Sequence, residues 1–122
     1  MIVQAINNGG VQSNQFDIMI PGGGVGANNA CTQNGAQWGA SSDVGATYGG
    51  LLTECKSSSS TYATYKSCVA QKCATLFSSS AMADLLAGCN WFVDWYGAAD
   101  DPAFNYKEVT CPSALTARSG LN

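Results

Sequence analysis

The chain has 122 residues, 46% of them hydrophobic and 11% charged, with five Lys+Arg against eight Asp+Glu. A chain this short makes at most one small domain and buries only about two-thirds of its unfolded surface. So few cations leave no basic face for nucleic acid, no apolar run reaches membrane-spanning length, and the lack of histidine excludes His-based zinc sites.

The charged share is less than half the usual value of roughly 25%, so the surface is built from Ser, Asn, Gln, Thr and Gly. Neutral polar surfaces of that kind suit a secreted protein that meets an uncharged partner such as polysaccharide. The six cysteines stand at 31, 55, 68, 73, 89 and 111, and none forms a C-x-x-C pair. They predict a disulfide framework made in an oxidising compartment, not a zinc knuckle. The opening Met1-Ile2-Val3-Gln4-Ala5-Ile6 has neither a positive n-region nor an apolar h-region, so it reads as a strand and not as a signal peptide.

In chain order, Ile2 to Ile6 is a predicted strand ended by the turn cluster Asn7-Asn8-Gly9-Gly10. Phe16 to Ile20 is a second, with Phe16, Ile18 and Ile20 on one face and Asp17 and Met19 on the other. Pro21-Gly22-Gly23-Gly24-Val25-Gly26 stops it and permits backbone geometry closed to residues with a Cβ. Asn28 to Gly50 shows no periodicity, which marks a functional or disordered stretch. The last serines of Ser57 to Ser60 can cap a following helix, and Tyr62, Tyr65, Val69, Cys73 and Leu76 recur at helical spacing, predicting an amphipathic helix from Ser60 to Phe77. Ser80 to Ala87 reads as a short helix closed by Gly88. Trp91 to Tyr96 reads as an aromatic-rich strand, Asp100-Asp101-Pro102 as a turn, and Phe104 to Cys111 as a final strand. The sum suggests a barrel or sandwich more than a bundle.

Asp17 is the carboxylate that stands out. It lies on a strand whose other face is apolar, beside a triple-glycine loop that would let a ligand approach the backbone. A carboxyl group held against apolar walls can serve as a general acid. From the pattern alone, an exposed aspartate on an edge strand is the plainer reading.

The string Ser13-Asn14-Gln15-Phe16-Asp17-Ile18-Met19-Ile20-Pro21-Gly22-Gly23-Gly24-Val25-Gly26, followed by Cys31, resembles the acid-bearing segment of glycoside hydrolase family 45 endoglucanases. Met1-Ile2-Val3-Gln4 resembles the strand that precedes it. Tyr48-Gly49-Gly50, Glu54-Cys55, Gly88-Cys89-Asn90-Trp91, Asp94-Trp95, Val109-Thr110-Cys111-Pro112 and Leu115 to Gly120 match the family in the same order. The similarity therefore spans nearly the whole chain.

The resemblance implies a mainly β fold, part of a six-stranded double-psi β-barrel with a short helical insertion and a cleft for a cellulose chain. It implies an endo-β-1,4-glucanase that cleaves with inversion, extracellular and monomeric in its full-length form, with no cofactor, no metal and no membrane or nucleic-acid partner. Asp17 falls at the family's general acid. Tyr48 falls at a tyrosine that lies against sugar, and Gly22, Gly23, Gly24 and Asn14 join it as substrate-binding candidates. The family's base lies in a Tyr-Trp-Asp-Cys-Cys type motif that is not found here, so residues 1–122 read as the C-terminal part of the catalytic domain. A substitute base could in principle be drawn from Asp43, Asp94, Asp100 or Asp101, of which Asp94 reads rather as structural. Gln15 stands where many relatives carry histidine, and Phe92 where arginine is common. A non-hydrolytic polysaccharide-binding module of the expansin type, or an inactive fragment, is the alternative.

The resemblance also implies a Cys55–Cys89 bond, leaves Cys31 and Cys111 unpaired, and puts Cys68 and Cys73 in an insertion. Five residues of unbroken helix would hold Cys68 and Cys73 about 7.5 Å apart, beyond the roughly 7 Å that a disulfide tolerates. Either the helix breaks between them or they bridge to Cys55 and Cys89 in a crossed arrangement; four cysteines allow three pairings.

Overall fold

The computed structural model describes residues 1–6, 15–27 and 44–121. They form two compact units, one made of Met19–Pro102 and the other of Met1–Ile18 with Ala103–Asn122.

The first unit is helical. Helix α1 spans Gly50–Ser58, α2 Tyr62–Leu76, and α3 Ala83–Asp94, entered through a 3-10 turn at Ser80–Met82. Leu51, Leu52 and Cys55 of α1 pack with Val69 and Cys73 of α2, with Phe77, and with Cys89, Phe92 and Val93 of α3. The helix predicted from Ser60 to Phe77 is present, and it starts one residue after Thr61. The Thr61 hydroxyl accepts from the Thr64 amide while Thr64 Oγ1 accepts from the Thr61 amide, a reciprocal cap that satisfies two otherwise orphaned donors. The last serines of the preceding run do not supply this cap. Ser57 and Ser58 finish α1, and their hydroxyls donate back to the Glu54 and Cys55 carbonyls.

Two disulfides join these helices, Cys55–Cys68 and Cys73–Cys89, each with a Cα separation of 5.8 Å. The crossed pairing therefore replaces the Cys55–Cys89 bond that the resemblance implies. Helix α2 runs unbroken through Cys68 and Cys73, so the two thiols cannot reach each other and face different neighbours.

The expected mainly β fold, part of a six-stranded double-psi barrel, is overturned. Among the described residues no strand forms, and the one β-type pairing is an isolated antiparallel bridge between Ala46 and Gly50. Ile2–Ile6, Phe16–Ile20 and Phe104–Cys111, all predicted strands, join no ladder among the described residues. A strand takes its stability from cross-strand partners, and alternation in one segment does not supply them. Trp91 to Tyr96 is not a strand at all. Leu85, Leu86, Cys89, Phe92 and Val93 recur at helical spacing and bury one side of α3, which carries straight through the predicted stop at Gly88. A Cβ at Gly88 would lie 2.8 Å from Pro21 Cγ, so that glycine serves close packing instead of a helix end.

In the second unit, α4 (Ser113–Ser119) ends at Gly120, whose φ of 71° suits a helix terminus. Gln4 ties the chain's first segment to this end. Its amide donates to the Leu121 carbonyl at 3.0 Å and its side-chain oxygen accepts from Ser119 Oγ at 2.7 Å. The Phe16 ring meets Phe104 at 5.6 Å and Tyr106 at 5.1 Å between centroids. No helix among the described residues is long and apolar enough to cross a membrane.

Candidate active site

The triple-glycine loop and the turn that carries Tyr48 come together in the helical unit. The Ile20 carbonyl accepts from the Gly23 amide at 2.8 Å, which closes the loop after the extended residues. The Gly22 carbonyl then accepts from Leu51 N–H at 2.9 Å, in the first turn of α1, and Gly26 N–H donates to Thr47 at 2.8 Å. On the other side, Ala46 and Gly50 exchange both backbone bonds at 3.1 Å. Every polar group used here belongs to the backbone, so the loop and the turn meet without a side chain between them. Gly23 and Gly24 remain exposed, while Gly22 is half-buried.

Tyr48 sits at the apex of that turn with 69% of its surface exposed. It is not the core tyrosine that its isolated position in the sequence equally allowed. Gly49 follows with φ 75° and caps α1, and the Thr53 amide donates to the Gly49 carbonyl.

Asp17 lies in the other unit, five positions before Gly22 in the chain. It is exposed, and its Oδ1 accepts from Gln15 Nε2 at 3.5 Å. The two-faced pattern of its segment holds for Met19, which is 91% exposed, and for the half-buried Ile18 and Ile20, whereas Phe16 is exposed as well. Asn14, Cys31 and Asp43 lie outside the described residues. Asp94 is exposed at the end of α3. Asp100 is held by Lys56 in an exposed ion pair whose hydrogen bond and charge raise the lysine above its ordinary range. Glu54, which sequence reasoning did not consider as an acid or base, pairs with Lys72 at 2.8 Å, and its second oxygen is buried without a hydrogen-bonding partner among the described residues. Cys111 is a half-buried free thiol. No group of three or more Cys, Asp or Glu among the described residues is placed to hold a metal ion.

Sequence reasoning also missed an aromatic stack at the end of α3. Trp91 stacks on Trp95 at 5.2 Å and on Tyr96 at 5.7 Å, with interplanar angles of 17° and 27°. A strand over 91–96 would put Trp91 and Trp95 on the same face but about 13 Å apart. The helical spacing of Trp91 and Trp95 was the signal that brings them together.

Comparison with known proteins agrees with the segment-by-segment resemblance. The family model for Glycosyl hydrolase family 45 matches residues 1–122. Endoglucanase B of Cellvibrio japonicus (strain Ueda107) is 51% identical over 127 residues, covering 100% of this chain and 24% of that protein. An endoglucanase of Cryptopygus antarcticus is 41% identical over 121 residues, covering 98% of this chain and 43% of that protein. The chain thus spans less than half the length of either relative. No solved structure matches it.

Proposed function

The chain belongs to glycosyl hydrolase family 45, and from that membership we propose that it serves an endo-β-1,4-glucanase that hydrolyses internal bonds of cellulose with inversion. Asp17 is the general acid. It donates its proton to the glycosidic oxygen as the bond to the anomeric carbon breaks. A second carboxylate takes a proton from water, whose oxygen attacks the opposite face of the sugar; the two carboxyls stand roughly 6.5–9.5 Å apart to hold that water.

The observation that carries the reading is the family match over residues 1–122, which includes the Asp17 segment and Tyr48. The exposure of Asp17 and Tyr48 supports it, since both must meet a polymer that cannot enter a closed cavity. Tyr48 offers a ring face to a sugar. The exposed edge at Gly23 and Gly24, with Gly22 behind it, leaves room for the glucan, and Asn14 supplies an amide to its hydroxyls. Two disulfides fit an oxidising, extracellular setting. The base is left unassigned; Glu54 and Asp100 are each engaged by a lysine.

The test is reducing-sugar release from a soluble β-1,4-glucan by the purified chain under non-reducing conditions, beside Asp17→Asn. Activity that falls by at least about a hundredfold in the variant is expected of a general acid. Equal activity in both samples would remove Asp17 from that role. Binding of the glucan without hydrolysis in either would point to a binding module instead.

A further inference from the structure

We infer that Gly24, Gly49 and Gly50 are positioning residues for Tyr48, fixing the place and direction of its Cα–Cβ bond through the close packing of the turn that carries it. The inference rests on Tyr48 being a sugar contact, as proposed above.

Tyr48 makes no hydrogen bond and no ring contact among the described residues, and most of its surface faces solvent. With no such contact to hold the ring, its anchoring point is set by the backbone it hangs from. That backbone is the turn from Ala46 to Gly50, pinned by four hydrogen bonds: Gly26 to Thr47, Leu51 to Gly22, and the reciprocal pair between Ala46 and Gly50.

The pinning requires main chain to approach main chain more closely than any Cβ allows. A Cβ at Gly24 would lie 2.7 Å from the Thr47 carbonyl oxygen, beside Tyr48, and 2.9 Å from Gly50 N. At Gly50 it would lie 2.0 Å from the Gly22 oxygen and 2.3 Å from Gly24 N. Backbone atoms cannot swing aside as a flexible side chain can, so either substitution must push the loop and the turn apart. At Gly49 the obstacle is different, because a Cβ would meet Thr53 Oγ1 at 2.1 Å, a side-chain atom that can be removed. The assembly is tied to the core as well, since the Cβ space at Gly22 is closed by Leu51 Cδ1 at 2.9 Å and Cys89 Sγ at 3.2 Å. The glycines therefore preset where the exposed ring is anchored, which reduces the ordering of the turn that a sugar must impose on binding.

The experiment is a double-mutant cycle on affinity for cellohexaose, measured by calorimetric titration of the full chain under non-reducing conditions. Tyr48→Ala should weaken binding about three- to tenfold, the range for loss of one aromatic face. Gly24→Ala should weaken it by a similar factor, and the double variant should bind no worse than Tyr48→Ala, because the glycine acts through the ring. Gly120→Ala, at φ 71° against 75° for Gly49 and 101° for Gly24, controls for left-handed strain with nothing within 4 Å of its Cβ, and should bind as the unsubstituted chain does. Should Gly24→Ala fail to fold, Gly49→Ala asks the same question: affinity should fall, and adding Thr53→Ala should restore it. Full additivity of Gly24→Ala and Tyr48→Ala, unchanged affinity in Gly24→Ala, or no rescue by Thr53→Ala overturns the positioning role while leaving Tyr48 as a contact. No loss in Tyr48→Ala, or no binding by the unsubstituted chain, overturns the sugar-contact reading and the inference with it.

Discussion

Gly22 has φ +86°, and its missing Cβ faces Leu51 and the sulfur of Cys89, both almost fully buried. Gly22→Ala combines left-handed strain with overpacking of the core and should cost about 2–4 kcal/mol, seen as a lower midpoint of thermal unfolding under non-reducing conditions. Gly26→Ala has φ +63° and open space, so it should lose only the strain, about 1–2 kcal/mol. At this scale part of the candidate site was legible. The glycine string announced a close approach to the backbone, read there as a ligand's, and the alternation of Ile18 and Ile20 with Met19 matches the outward face of Asp17. What approaches the glycines was not legible. The partner is the backbone of residues 46–50, and contact between two main chains leaves no periodic mark in a sequence.

Among the elements, α2 was readable from its apolar spacing, while its cap is Thr61 and not the preceding serines that the sequence pointed to. Thr61→Ala removes the cap and should cost about 1 kcal/mol, whereas Thr61→Ser should lose little; chemical denaturation of the two variants checks this. Helix α3 was read wrongly in two ways that share a cause. Its aromatic residues favour strands in isolation, and Gly88 favours helix ends, yet Leu85, Cys89 and Phe92 lie on one helical face and tertiary packing overrides both local preferences. The crossed disulfides were among the pairings that cysteine spacing left open. The rigidity of α2 excludes Cys68–Cys73, which lie more than one turn apart on an unbroken helix, and of the two crossed pairings that remain the structure forms Cys55–Cys68 with Cys73–Cys89.

For the whole molecule, the two units differ in how their backbones are satisfied. Helices α1 to α3 enclose a shared core braced by both disulfides. In the other unit, α4 is the one helix among the described residues, and 103–111 carry no regular secondary structure. Amide hydrogen exchange should therefore separate them, with Val69, Cys73 and Cys89 protected and most of 103–111 exchanging quickly. Replacing both Cys55 and Cys68 by alanine opens a loop closed over a separation of 13 residues and should cost about 3 kcal/mol, measured against the unsubstituted chain by thermal unfolding. The low charged share read from composition fits this scale too, because only two ion pairs are formed among the described residues and both lie partly exposed, where such pairs add little.

The two sulfur bridges have one more effect. Because one runs from α2 back to α1 and the other from α2 forward to α3, the three helices are a single covalent body even without the peptide segments between them. The exposed stretches at 60–61 and 78–80 are natural places for a protease to cut. A chain nicked at either place should migrate as one species on a denaturing gel without reductant and fall into separate peptides once a thiol is added. In a milieu rich in secreted proteases, a cut that would dismember an unbridged helical domain would here leave its parts tethered.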